Sequence, residues 1–144
     1  MNALSFIVPS EPYSKQRART TRNGTYTPKV TVQAEALVAA AFRQVYPAHR
    51  PTPKGSVAWE IGVTVYRYER HGRDIDNLIK TVLDALNGHA WEDDADVETL
   101  THFTTIWVDS RDRARTVVTI RATGSQPRPA RRASVTRRNT PPAQ

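Results

Sequence analysis

Residues 57–66 alternate along their whole length. Val57, Trp59, Ile61, Val63 and Val65 take one side; Ala58, Glu60, Gly62, Thr64 and Tyr66 take the other. A period of two places successive side chains on opposite faces of an extended chain, so this stretch predicts a half-buried strand. Two stretches repeat instead with helical period. Ala34, Leu37, Val38, Ala41, Phe42 and Val45 predict a helix over 31–45 whose apolar stripe is core. Ile75, Leu78, Ile79, Val82, Leu83 and Leu86 predict a second over 75–86. Asp74 stands at its N-cap position, and Asn87-Gly88 supplies the stop with Gly88 at C′. Residues 3–8 read as a first strand, closed by Pro9 and Pro12. Residues 97–107 and 115–121 read as two more, with Asp109-Ser110-Arg111-Asp112-Arg113 between them as a hairpin connection. The order β-α-β-α-β-β describes a single α+β, or mixed α/β, domain with a small sheet covered by two helices.

The segments between carry the polar chemistry. Residues 9–30 form a long loop with Lys15, Arg17, Arg19, Arg22 and Lys29 against a single Glu11. Tyr13 and Tyr26 interleave with these cations, a pattern suited to phosphate contact with some stacking, and equally that of a solvated basic loop. Asn23-Gly24 marks a tight turn within it. Residues 46–56, with three prolines and Gly55, are a connector, and His49 in it reads as exposed. Beyond the alternating strand, Arg67, Arg70 and Arg73 flank His71 and Gly72, a loop able to track a phosphate backbone. His71 reads as an ordinary loop histidine ahead of a catalytic base.

Composition narrows the class. The chain of 144 residues has no cysteine, which excludes disulfides and thiolate metal sites. No apolar run reaches membrane-spanning length and the N-terminus lacks a signal-peptide pattern, so a cytoplasmic protein is expected. The net charge of +7 and a pI of about 10.2 point to nucleic acid or another acidic surface. Five arginines and four prolines, with no acid, fall in residues 122–144, which read as a disordered basic tail after a domain of residues 1–121.

Against this background the carboxylates are concentrated. Residues 74–98 hold eight of the fourteen acids and one basic residue, Lys80. Asp76, Lys80 and Asp84 share one helix face a turn apart, and Asp74 and Asp76 sit at the helix N-terminus, where the dipole favours negative charge. Crowded carboxylates repel unless a cation sits among them, and Mg²⁺ takes oxygen donors of this kind. The same spacing also describes a capping Asp74 and i,i+4 surface pairs, each worth a few tenths of a kcal/mol. Both readings stay open on spacing alone.

The longer string is more specific. Arg73-Asp74-Ile75-Asp76-Asn77-Leu78, Lys80, then Leu83-Asp84-Ala85-Leu86-Asn87-Gly88 and Trp91, Asp93-Asp94-Ala95 and Val97 resemble the RusA family of Holliday-junction resolvases. The resemblance spans residues 2–121 and is densest over 73–97. It implies a RusA-like fold, metal-binding aspartates at Asp74, Asp76 and Asp94, an essential lysine at Lys80, and Mg²⁺, with Mn²⁺ as a substitute. It also implies a homodimer that makes paired symmetric nicks in four-way junctions during recombination and repair, and a phage or prophage type. A nuclease for flaps, forks or other branched DNA remains open beside this. So does a non-catalytic DNA-binding module, although a metal-free carboxylate cluster would repel phosphate. In the connecting loop, Trp91 reads as an anchor that returns Asp94 towards the start of the acidic helix.

Overall fold

The computed structural model describes residues 3–10, 19–21, 24–26, 29–70 and 74–123. The strands are β1 (Leu4–Val8), β2 (Arg19–Thr21), β3 (Gly24–Tyr26), β4 (Ala58–Arg67), β5 (Val97–Trp107) and β6 (Arg115–Thr123). The helices are α1 (Lys29–Val45) and α2 (Ile75–Leu86), with single 3₁₀ turns at Asp94–Asp96 and Arg111–Arg113. The predicted α+β order is present. The addition is the β2–β3 hairpin, where Thr21 faces Gly24 in an antiparallel pair. It lies inside the segment the sequence marks as loop, around the predicted turn; strands of three residues are too short to show a period.

Four strands form one sheet in the order β1-β6-β4-β5. β6 pairs antiparallel with both β1 and β4, while β5 runs parallel to β4. The predicted hairpin at 109–113 is therefore not one, because β4 lies between β5 and β6. Helix α2 crosses back over the sheet and delivers β5 parallel to β4; β6 pairs along β4's other edge, between β4 and β1, rather than with β5. The link bridges the end of β4, and the Val108 N–H donates to the Arg67 carbonyl at 2.8 Å.

One face of the sheet meets the helices. Trp59, Ile61, Val63 and Val65 of β4, Phe6 and Val8 of β1, and Val118 and Ile120 of β6 are buried against Val38 and Phe42 of α1 and Val82 and Leu86 of α2. Two members of the predicted α1 stripe fall outside this core: Leu37 and Val45 are exposed, at the stripe's margin and the helix's last residue. Strand β6 extends to Thr123 with Ala122 buried, so the domain's last strand runs past the expected boundary at 121. Residues 124–144 of the basic tail lie outside the described residues. Among the described residues, no helix is long and apolar enough to cross a membrane.

Candidate active site

Helix α2 carries the acidic string because its other face is core. Leu78, Thr81, Val82, Ala85 and Leu86 are buried, which turns Asp76 and Lys80 to solvent and leaves Asp84 half-buried. Asp74 occupies the N-cap position, but its side chain makes no capping bond. The first helical bond runs from Leu78 N–H to the Asp74 carbonyl at 3.1 Å, and the carboxylate meets only a long 3.5 Å approach from Asn77 Nδ2 among the described residues. The reading of Asp74 as a mere cap thus loses its bond. Among the described residues no ion pair joins Lys80 to Asp76 or Asp84.

Gly88 ends α2 as expected, at φ +78°, a conformation that glycine adopts without a Cβ penalty. The following loop is pinned at several points. Trp91 is fully buried, packs 5.8 Å from Trp59, and donates from Nε1 to Asn87 Oδ1 at 3.0 Å. Thr52 and Glu92 join the connector to this loop through Thr52 N–H to Ala90 O at 3.2 Å and Glu92 N–H to Thr52 O at 3.0 Å. Arg43 of α1 clips the same loop, donating from Nε to His89 Nδ1 at 3.0 Å and from Nη1 to the His49 carbonyl. Burial, then the Arg43 charge, hold His89 below the usual imidazole range. His49 is not exposed as the sequence suggests: its ring lies edge-on to Phe42, and Nε2 bonds Ala90 O at 3.0 Å. Arg43 and His89 carry no periodic or motif signal; only the fold brings them together.

The loop's carboxylates divide by environment. Asp93 caps the 3₁₀ turn by accepting from Ala95 N–H at 2.8 Å and pairs with Lys54 Nζ at 3.1 Å. The backbone bond first, then Lys54, draw its carboxyl below the usual range. Asp96 is buried and accepts from Gly55 N–H at 3.0 and 3.1 Å. Asp94, between them, faces Asp84 and Asp93. Partial burial first, and the Asp84 charge next, push its carboxyl up.

The loop therefore brings Asp94 to Asp84 rather than to the start of α2. At 1.5 Å per residue, Asp84 lies about 15 Å along the helix axis from Asp74. Among the described residues no three acidic or histidine side chains converge closely enough to hold an ion. A divalent ion still fits the donors in kind and number. They are carboxylate oxygens, and Mg²⁺ is commonly held by one or two carboxylates completed by substrate phosphates and water. Asp74 and Asp76 are such a pair, and neither is spent on an ion pair among the described residues.

The predicted DNA contacts fall unevenly. Lys15, Arg17, Arg22 and Arg73 lie outside the described residues; Arg19 is in β2 and Lys29 opens α1. Arg70 is exposed, whereas Arg67 closes β4 and is buried. His71 also lies outside the described residues.

Compared with known proteins, residues 9–121 match the family described as endodeoxyribonuclease RusA, which is most of the chain. No curated protein matches it.

Proposed function

The chain belongs to the RusA family of endodeoxyribonucleases, and on that premise we propose that it is a Mg²⁺-dependent nuclease that resolves four-way DNA junctions. The observation that carries this reading is the family match over residues 9–121, which includes the whole acidic helix and its returning loop. Asp74 and Asp76 would hold the ion; Asp94, the third carboxylate that the resemblance implies, stands beside Asp84 towards the other end of α2 and is outside this pair. Bound there, Mg²⁺ or Mn²⁺ supplies Lewis-acid stabilisation of charge on phosphorus oxygens.

The chain's own groups do the rest. Lys80 is one turn from Asp76 on the solvent face, so its ammonium is available to a phosphate oxygen that gains charge during cleavage. Arg70 offers a cation to the backbone close to the start of α2 in sequence. The Arg43, Trp91 and Thr52 contacts limit the freedom of the loop that carries Asp93 and Asp94 and hold Asp94 beside Asp84. A four-way junction needs two symmetric nicks, and a C₂ homodimer supplies two sites of matching symmetry.

The test is cleavage of labelled four-way, flapped, forked and linear DNA with Mg²⁺ and with EDTA, by wild type and by Asp76→Asn. Paired nicks in the four-way junction, lost with EDTA and with Asp76→Asn while junction binding persists, support the proposal. Preferential cleavage of flaps or forks reassigns the substrate. Binding without cleavage at any metal concentration overturns the enzymatic reading.

A further inference from the structure

We propose that the cleft at the carboxyl ends of β4 and β5 receives one unstacked nucleotide of the DNA, with the Trp107 indole as platform for its base and Arg70 as the cation for its phosphate. The proposal rests on reading the chain as a nuclease of branched DNA, and it adds a subsite that the acidic cluster does not contain.

Trp107 is 57% exposed, although Trp59 and Trp91 are 3% and 0% exposed. The fold buries its other two indoles and presents this one to solvent at the end of an edge strand. Beside it is a cleft of about 410 Å³ lined, among the described residues, by Arg70 and Trp107. That volume lies in the range of small-molecule sites. An aromatic face next to a guanidinium is the pairing used for single-stranded nucleic acid, where stacking is tolerant of base identity and the cation takes the backbone.

Position supports the same occupant. β4 and β5 are parallel and joined through α2, and the crevice outside the carboxyl ends of such strands is where ligands bind in α/β folds. The N-terminus of α2, with Asp74 and Asp76, follows β4 at that edge. Arg67 pairs with Trp107 across the two strands, so both side chains leave the same face of the sheet. Arg67 is 8% exposed, and its Nη2 is buried with no hydrogen-bond partner. Among the described residues Arg70 and Trp107, not Arg67, line the cleft; the Arg67 guanidinium adds a buried positive charge on the same face of the sheet, with one donor left unsatisfied. A protein partner would have less use for such uncompensated positive charge.

Tryptophan fluorescence provides the test, because Trp107 is the exposed indole. Wild type is titrated with a short oligodeoxythymidylate, with duplex and with a four-way junction, all in EDTA so that no cleavage is needed. The single strand and the junction should quench emission, and Trp107→Phe should remove the quenching while keeping most of the affinity. Trp107→Ala should weaken binding of the oligodeoxythymidylate roughly 5- to 150-fold, the equivalent of one base stacked on an aromatic side chain, and change duplex affinity less than two-fold. Arg70→Gln should lower the single-strand salt slope by about 0.7. Equal losses on single strand and duplex, or no loss on either, overturn the subsite. So does an indole emission that shifts to the blue with rising protein concentration in the absence of DNA, which marks Trp107 as a contact between copies. The two readings fail separately. Trp107-dependent quenching in a protein that nicks no branched DNA leaves the subsite and removes the nuclease function. Normal junction cleavage and single-strand binding by Trp107→Ala do the reverse.

Discussion

Replacing Arg67 with methionine should stabilise the free protein while weakening its hold on DNA. Arg67 is 8% exposed at the end of β4, its Nη2 is buried without a partner, and no carboxylate pairs with it among the described residues. Guanidinium does not shed its proton, so the buried charge cannot be neutralised. An unsatisfied buried donor costs about 1–3 kcal/mol, and more when charged. Exchanging buried ionic groups for apolar side chains of similar volume is often neutral or stabilising by about 1–4 kcal/mol. Methionine keeps the unbranched stem but is shorter, and the space it leaves offsets part of the gain. The net expectation is about 1 kcal/mol of added stability, which raises Tm by roughly 4–8 °C in a domain near 100 residues. Urea unfolding should show a higher midpoint at unchanged slope. Junction affinity in EDTA should fall in the same variant. A loss of about 3 kcal/mol or more would refute the reasoning, because that is the signature of breaking a buried pair. An unchanged affinity would detach Arg67 from DNA.

Three further expectations test the site and the tail. Lys80→Ala should cost no more than about 0.5 kcal/mol in stability, since Lys80 is exposed and unpaired among the described residues, yet slow single-turnover cleavage at saturating Mg²⁺ on the order of 10²-fold; wild-type cleavage removes Lys80 from the active site. Asp94→Asn should raise stability at neutral pH by about 0.5 kcal/mol, the scale of a screened charge pair. The sign follows from the upward displacement caused by burial and Asp84: ionised Asp94 disfavours the folded state, so the gain is present at neutral pH and vanishes as pH falls below the ordinary carboxylate value. Chemical denaturation at several pH values decides it, and a gain that persists in acid contradicts it. Deletion of residues 124–144 should leave a folded enzyme whose DNA binding depends less steeply on salt, by about 0.9 in slope for each duplex phosphate the tail had neutralised; an unchanged slope shows that the tail does not touch DNA. The cut belongs after Thr123, because Ala122 is buried in β6.

Residues repeating over several turns are legible because period and burial have one cause. Val82 and Leu86 of α2, and Ile61, Val63 and Val65 of β4, are where apolar spacing puts them, and all are buried. The string from Asp74 to Asp94 can be read as a candidate site because its charge density is abnormal for a basic chain and its residues match a family motif. The tight turn in the basic loop is visible, but the hairpin is not. Leu37 and Val45 depart from the pattern for a different reason. A stripe says which way a helix faces, not how far the sheet beneath it extends.

Local sequence determined the elements, the apolar face of each, and which residues carry charge. These depend on neighbours within one or two turns. Sheet order, the surroundings of Asp94 and the fate of single arginines were decided only by tertiary packing. β5 and β6 are consecutive in sequence and would pair as a hairpin if proximity alone ruled, but β6 lies between β1 and β4, with β4 separating it from β5. Asp93, Asp94 and Asp96 stand within four positions in one acidic run, yet Lys54, Asp84 and the Gly55 amide arrive from elsewhere to give each a different role. Arg67 and Arg70 are three residues apart, and one is buried while the other faces solvent. Burial and electrostatics act through space at a few ångströms, and no local pattern records which distant groups the fold will bring that close.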